Sequence, residues 1–235
     1  EIAGSGKKEF ESDIPEKEFS GTLREGWKVT DDIKEIEKLR SITFLDRISP
    51  EAKEKWDVSQ NRDGSVMAWL DKGGNGGEEW WELYIGADGG VKAAVDSYGL
   101  FQNCGNVEKV SFNGNFDTTQ VKYMSSMFSS CSSLSSLDVS GFDTARVTNM
   151  NGMFAWCSSL SSLDVSGFDT AQVKYMRSMF AGCSSLDNLD VSNFNTRQVT
   201  DMSWMFNGCI RLKNLNMNGF DTAQVINMRD MFVGC

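Results

Sequence analysis

The stretch VTNMNGMFAWCSSLSSLDVSGFDT, residues 147–170, decides the fold, because near copies of it recur along the second half of the chain. The copies are marked by six cysteines, Cys104, Cys131, Cys157, Cys183, Cys209 and Cys235. Their spacings are 27, 26, 26, 26 and 26 residues. A fixed period of this length is typical of a repeat architecture. The one extra residue falls near Gly114 and Asn115, in a predicted turn, where an insertion costs little.

Two periodicities alternate within each repeat. Met150, Met153, Phe154 and Cys157 are spaced 3, 1 and 3 residues apart, which predicts one face of a helix. The segment 137–139 alternates apolar, polar and apolar side chains, which predicts a short half-buried strand. Each repeat is therefore predicted to be a strand, a turn and a helix, and stacked repeats bury a continuous core.

Residues 104–235 resemble the 26-residue bacterial surface-protein repeat, a relative of the BspA-type leucine-rich repeats. The phrases LDVSGFDT, residues 137–144, and MFAWC, residues 153–157, carry the resemblance, and near copies of both recur downstream. The resemblance implies an α/β, right-handed leucine-rich-repeat-like solenoid with an N-terminal α+β cap. It also implies a bacterial cell-surface or secreted location and a role in adhesion or interaction, with no reaction common to the family and no fixed ligand.

The chain before the repeats has a different composition and predicts a cap. Residues 1–40 are a charged segment with one helix, expected from Asp31 or Asp32 to Arg40. Residues 41–103 are the expected α+β cap, because an uncapped first repeat would expose apolar core and a strand edge. The predicted cap elements are a strand over 41–45, a short helix over 51–55, a hairpin of 56–60 with 65–70, and a hairpin of 80–85 with 91–94. Residues 104–235 form five repeats, which we expect to continue beyond Cys235.

The composition of the 235 residues limits the chemistry that the chain can perform. It contains no histidine, which excludes Ser-His-Asp and Cys-His nucleophiles and histidine-ligated zinc or haem. The formal net charge of −10 argues against a nucleic-acid partner, because such binding depends on clustered Lys and Arg. The longest apolar run, residues 66–70, is far short of the roughly 20 residues of a membrane span. We expect a protein that is not an enzyme, binds no cofactor and does not insert into a membrane.

The six cysteines are predicted to be free and to form a buried ladder. Equivalent side chains of stacked repeats point the same way, whereas a disulfide needs facing bonds with Cβ atoms about 3.8 Å apart. Free cysteine behaves as a small buried apolar residue. Zinc is not expected, because its ligands are spaced about two to four residues apart within one knuckle.

Three aspartates on the outward side of the predicted strands are candidate binding residues. Asp138, Asp164 and Asp190 are expected to stack about 4.8 Å apart. Like charges at that spacing repel unless a partner, a cation or water offsets them. They form either an acidic stripe that receives a basic protein surface or weakly holds calcium, or a solvated ladder bonded to neighbouring Ser and Asn.

Two tryptophans interrupt the repeat consensus. Trp156 and Trp204 stand where other repeats carry serine or glycine. An exposed tryptophan at a variable position is a candidate hot spot for binding. The alternative is that each indole covers a groove between repeats.

The segment 78–85 suggests carbohydrate chemistry. Alternation places Trp80, Glu82 and Tyr84 on one face of a strand and the other apolar side chains toward the core. The first face is either an aromatic platform with acids beside it or a cap strand packed under the N-terminal segment. The carboxylates available for glycoside hydrolysis are Glu78, Glu79 and Glu82.

Together with the resemblance to the bacterial surface-protein repeat, these observations predict a binding or adhesion module of a bacterial cell-surface or secreted protein. It would present a polar face built by the repeats to a protein or glycoprotein on a host or neighbouring cell, with affinity spread over many repeats. Two alternatives stay open: a structural spacer within a larger surface protein, and a carbohydrate-active domain.

Overall fold

The computed structural model describes residues 17–74 and 77–235, so the first sixteen residues of the predicted charged segment lie outside the described range. Its regular elements are short and almost all are strands. The strands are β1 (Gly21–Thr22), β2 (Leu39–Leu45), β3 (Lys55–Asp57), β4 (Met67–Gly73), β5 (Trp80–Gly86), β6 (Val91–Lys92), β7 (Lys109–Ser111), β8 (Phe116–Asp117), β9 (Asn188–Asp190) and β10 (Asn214–Asn216). The helices among the described residues are α1 (Val29–Asp32) and a 3-10 turn at Ile36–Lys38.

The largest sheet has five strands in the order β3-β4-β5-β2-β7. β4 runs antiparallel to β3 and β5, whereas β5, β2 and β7 are mutually parallel. Alternate residues face the core, and Ile42, Phe44, Leu83 and Ile85 are fully buried there. Two smaller parallel sheets have the orders β1-β6-β8 and β10-β9.

Runs of turns stack against each other where the sequence predicts helices, and we call this stack the turn ladder. Its runs are residues 96–103, 123–130, 149–156, 175–182, 201–208 and 227–234, and parallel bridges join their first residues. In the repeat of Cys157, the N–H groups of Met150, Gly152, Phe154 and Trp156 donate to carbonyls of the next repeat at 2.6–3.0 Å. Every second amide of a run is therefore bonded sideways, as in a sheet, and not along the chain, as in a helix.

Two positions of each run have a backbone conformation that a right-handed helix cannot contain. The residues five and one before each cysteine have φ between 55° and 76°; in the Cys157 repeat these are Gly152 at 59° and Trp156 at 63°. A positive φ ends a right-handed helix. The amides of Met153 and Ala155 then close short turns onto the residue three before them.

The prediction of an α/β, right-handed leucine-rich-repeat-like solenoid is wrong. Over residues 17–74 and 77–235 the protein is nearly all strand and turn, and its mixed sheets do not close into a solenoid. The prediction failed because the 3, 1, 3 spacing does not distinguish a helix from a run of turns. Either backbone buries Met150, Met153, Phe154 and Cys157 together. Glycine and short polar residues at the left-handed positions select the turns.

The structure also corrects several elements predicted before the repeats. The helix expected up to Arg40 is replaced by α1, the 3-10 turn and β2, which begins at Leu39. Residues 51–55 contain no helix. The first predicted hairpin corresponds to β3 and β4. The second does not form, because β5 pairs with β4 and β2, whereas β6 pairs with β1 and β8.

A column of stacked phenylalanines forms the centre of the repeat core. Neighbouring ring centroids are 5.0–5.8 Å apart along Phe101, Phe128, Phe154, Phe180, Phe206 and Phe232. The methionines four and seven residues before Cys131, Cys157, Cys183 and Cys209 are fully buried in the same core. One hydrophobic cluster joins this column to the core of the five-stranded sheet.

The six cysteines are free thiols that form a second column beside the phenylalanines. From Cys131 onward, each Sγ donates to the carbonyl of the phenylalanine in the preceding repeat at 3.1 Å. Cys235 is exposed, whereas the other five are buried. Burial raises the pKa of Cys104 and of Cys209 to about 12, because an apolar surrounding disfavours the thiolate.

Candidate functional site

Trp156 presents an exposed indole on the turn ladder. Trp156 is 60% exposed, and its backbone has a positive φ of 63°. The ring lies across Gly182 of the next repeat, where a Cβ atom would stand only 2.5 Å from its Cε3. A bulky residue with positive φ is strained, and such strain is concentrated at functional sites.

Trp204 occupies the other left-handed position of its run but is held by its neighbours. Its indole N–H donates to Asp230 at 3.1 Å. The guanidinium groups of Arg177 and Arg229 lie 4.5 and 5.8 Å from the ring centroid. Arg177 belongs to the preceding repeat and Arg229 to the following one, so Trp204 joins three repeats and is only half-exposed.

Asp138, Asp164 and Asp190 occupy equivalent exposed positions of three consecutive repeats. Each carboxylate accepts the N–H of the serine two residues later at 2.9–3.0 Å, and this bonding lowers the pKa of all three carboxyls. Only Asp190 lies in a strand, β9; Asp138 and Asp164 lie in none of the strands. Among the described residues no cluster of acids or thiols has the arrangement of a metal site.

Trp80 and Tyr84 lie on the outer face of the five-stranded sheet, far in sequence from the other candidates. The Tyr84 hydroxyl donates to Glu82 at 2.9 Å, and its ring stacks on Trp69 with centroids 5.7 Å apart. Partial burial and the Glu82 carboxylate raise the pKa of Tyr84 to about 12. The Trp80 indole covers Gly73 of the adjacent strand.

The two glutamates before β5 do not join this aromatic face as a pair. Glu79 forms an exposed ion pair with Lys72 at 3.4 Å. The carboxylate that faces Glu82 is Asp71, its register partner on β4. The neighbouring carboxylates on this face are therefore Glu82 and Asp71, and Asp71 was not among the residues predicted from the sequence.

A groove that the sequence analysis did not identify separates β7 from the repeat of Cys131, and we call it the β7 groove. Its volume is about 630 Å³. Phe112, Phe116 and Phe142 line it together with polar residues of both walls. Two sequence signals mark it: the extra residue of the first interval, and Phe112 in the place of a repeated valine.

Comparison with known protein families gives a match over the repeated part of the chain. A family described as "Mycoplasma protein of unknown function, DUF285" matches residues 95–209 and residues 162–235, which together cover more than half of the chain. The chain belongs to the DUF285 family. This family is of the BspA-like repeat type. No curated protein matches this DUF285 chain, and no solved structure matches it.

The DUF285 match divides the candidate residues into two groups. It includes the turn ladder from Asp96 onward, with both tryptophans, and the three aspartates. The aromatic face of Trp80 and Tyr84 precedes it. No helix in the described part of this DUF285 chain is long and apolar enough to cross a membrane.

Proposed function

We propose that this DUF285 chain is a binding module of a bacterial cell-surface or secreted protein. Its ligand is a protein or glycoprotein on a host or neighbouring cell. The observation that carries the proposal is Trp156, whose indole is 60% exposed on a left-handed backbone. Large rigid aromatic side chains supply much of the energy of protein interfaces. Other repeats place glycine or serine at this position, so folding alone does not require an indole there.

The surroundings of Trp156 suit a broad macromolecular surface. The glycines at the same position of the next three repeats, Gly182, Gly208 and Gly234, leave a shallow strip beside the indole. Exposed tyrosines, Tyr98, Tyr123 and Tyr175, stand on the same turn ladder. The resemblance to the 26-residue bacterial surface-protein repeat supports the cell-surface or secreted location.

Replacement of Trp156 by glycine separates binding from folding. Trp156→Gly removes the indole and relieves the backbone strain, because glycine adopts positive φ freely. Ser130→Gly is the matched control, since Ser130 has the same left-handed conformation one repeat earlier. Both variants are expected to fold.

The measurement is binding to an array of host matrix glycoproteins and glycans, followed by surface plasmon resonance on the strongest hit. We expect Trp156→Gly to weaken binding roughly tenfold or more, and Ser130→Gly to leave it unchanged. Equal binding by both variants contradicts the role of Trp156. Absence of any ligand favours the structural spacer, and sugar turnover that is lost in Glu82→Gln favours the carbohydrate-active alternative.

A further inference from the structure

One wall of the β7 groove is an unpaired strand edge. β7 is the last strand of the five-stranded sheet and pairs only with β2. The N–H of Glu108 donates to Arg40 of β2 at 2.8 Å. Because the Arg40 carbonyl faces β7, alternation along β2 turns Ile42 toward β7 as well, and the parallel register bonds Ile42 to Lys109 and Ser111. The N–H and C=O of Val110, which lies between them, therefore face the groove. Within the described chain, no backbone hydrogen bond joins β7 to the opposite wall at residues 136–140.

The groove is closed at both ends, so it is a slot with a defined length. At one end the N–H of Ser133 donates to the carbonyl of Gly105 at 3.0 Å. At the other end Thr118 and Asp143 exchange two hydrogen bonds, of 3.0 and 2.8 Å. Between these points the backbones of the two walls separate. The open stretch is long enough for a few residues of extended chain.

Two features of the sequence add bulk at this junction. Phe112 stands eight residues after its cysteine, where the next three repeats carry Val139, Val165 and Val191. The extra residue of the first interval falls beside it, in a turn where Asn113 and Gly114 both have positive φ. The larger ring and the longer turn therefore distinguish this junction from those between the later repeats.

The floor of the groove is aromatic. The rings of Phe112, Phe116 and Phe142 pack with centroids 5.0–5.9 Å apart. Such a floor suits apolar side chains that project from alternate residues of an extended peptide.

The charge around the groove is predominantly negative. Asp117, Asp138 and Asp143 line it, against one lysine, Lys109. None of these aspartates has an ion-pair partner among the residues that the structure describes. One lysine of the chain already binds at this rim, because Lys17 donates to the carbonyl of Gly114 at 2.9 Å. Carboxylates without cationic partners complement a basic ligand.

We propose that the β7 groove binds an extended peptide segment of a partner protein, in which basic and apolar residues alternate, as an added strand on β7. The outward N–H and C=O groups of Val110 bond the peptide backbone. The phenylalanine floor receives its apolar side chains, and the three aspartates receive its Lys or Arg side chains. This mode is β-strand addition, in which main-chain bonds supply affinity and alternate side chains supply specificity. The site is separate from Trp156 and does not depend on the function proposed above.

A labelled synthetic peptide provides the first test. The probe is a fluorescein-labelled hexapeptide of alternating Lys and Val, and fluorescence anisotropy measures its dissociation constant with the whole chain. Two matched peptides separate the contributions: one with Glu for Lys, and one N-methylated at alternate residues, which removes backbone donors. We expect saturable binding of the first peptide and at least roughly tenfold weaker binding of each of the other two.

Variants of the protein locate the site. Val110→Pro removes the outward N–H and keeps an apolar side chain, a change that an edge strand tolerates, and is expected to weaken binding roughly tenfold. Asp138→Asn removes one carboxylate of the groove and is expected to weaken binding and its dependence on salt. Asp164→Asn, the same change one repeat later and outside the groove, is the control and is expected to have no effect. Circular dichroism verifies that each variant is folded.

Four outcomes overturn the proposal. Equal affinity for the N-methylated peptide excludes strand addition. Equal affinity for the Glu peptide excludes recognition of basic segments. An unchanged affinity in Val110→Pro places the peptide elsewhere. A dimer in analytical ultracentrifugation that dissociates in Val110→Pro assigns the edge to a second copy of the chain and not to a partner peptide.

Discussion

The Sγ atom of Cys157 donates a hydrogen bond to the carbonyl oxygen of Phe128, one repeat earlier, at 3.1 Å. The same bond recurs along the column, so each thiol from Cys131 onward is tied to the main chain of its neighbour. The thiols therefore act as small interior packing groups with a weak donor, and their number follows the number of repeats.

Reaction with a thiol reagent tests this arrangement. At neutral pH we expect Ellman's reagent to modify Cys235 alone in the folded protein, because the other five thiols are buried and burial suppresses the reactive thiolate. In denaturant without reductant all six thiols are expected to react. Fewer than six in denaturant would show that disulfides are present.

Stability at alkaline pH follows from the same burial. The pKa of Cys104 and of Cys209 is about 12 in the folded protein, against an ordinary value of 9.0. Above pH 9 the unfolded chain releases thiol protons that the folded chain retains, so the free energy of unfolding falls as pH rises toward 12. The slope is about 1.4 kcal/mol per pH unit for each such thiol.

Chemical denaturation between pH 8 and pH 11 measures this slope. Cys104→Val removes one titrating group from a fully packed site and is expected to make the decline shallower. A stability that stays flat above pH 9 in the unmodified protein would contradict the raised pKa values.

The phenylalanine column carries much of the packing energy of the repeats. Phe154 is fully buried between Phe128 and Phe180, with centroids 5.7 and 5.8 Å away. Phe154→Ala is expected to lower the free energy of unfolding by about 3–5 kcal/mol, because it leaves a cavity in the column. Phe232→Ala, at a ring that is 48% exposed, is the control and is expected to cost clearly less. Urea denaturation of both variants measures the difference, and similar losses would contradict the importance of burial.

Trp156 and Gly182 are expected to be energetically coupled. Gly182→Ala places a Cβ atom 2.5 Å from the indole at a residue with φ of 71°, so it is expected to destabilise the protein by about 1–3 kcal/mol. In the Trp156→Gly background only the cost of the left-handed backbone remains, and the same change should cost less. A double-mutant cycle from thermal denaturation gives the coupling. A coupling of zero would show that the indole does not rest on Gly182.

The serine after Asp138 is expected to control the charge of the β7 groove. Ser140 donates to the Asp138 carboxylate through its hydroxyl at 2.6 Å and its N–H at 3.0 Å, and these bonds lower the pKa of Asp138. Ser140→Ala removes the hydroxyl and should raise that pKa toward its ordinary value of 3.8. Carboxyl NMR titration measures the change, and Ser166→Ala, which acts on Asp164, is the control for position. An unmoved Asp138 titration would show that the hydroxyl is not bonded to it.

The sequence period locates the side chains that pack together, but it does not determine the backbone that carries them. Met150, Met153 and Phe154 are all buried, as their spacing predicts. A helix would bury these side chains together, and so does the observed run of turns, so their spacing does not distinguish the two backbones. The signal that favours turns over a helix is weaker than the apolar spacing. It is the glycine at positions 152 and 182, where the backbone has positive φ.

The candidate sites show a similar division. Trp156 is identifiable from sequence because it departs from its neighbours, and the structure exposes it. Trp204 departs in the same way, yet Arg177 and Asp230 hold it, and those contacts arise only when repeats stack. The β7 groove depends on where β7 ends its sheet, a long-range relationship that no local pattern encodes.

The sideways bonding of the turn ladder has a consequence for how the coding sequence can change. Every run bonds to the next through the same atoms, and each phenylalanine stacks on an equivalent ring. Unequal recombination that adds or deletes 26 codons joins two runs that already fit, so the interior is restored without compensating substitutions. Insertion or deletion of one codon inside a run moves the following residues of that run out of their left-handed positions. The length of such proteins is therefore expected to vary by whole repeats. Insertions or deletions of single residues are expected only in turns such as the one at Gly114.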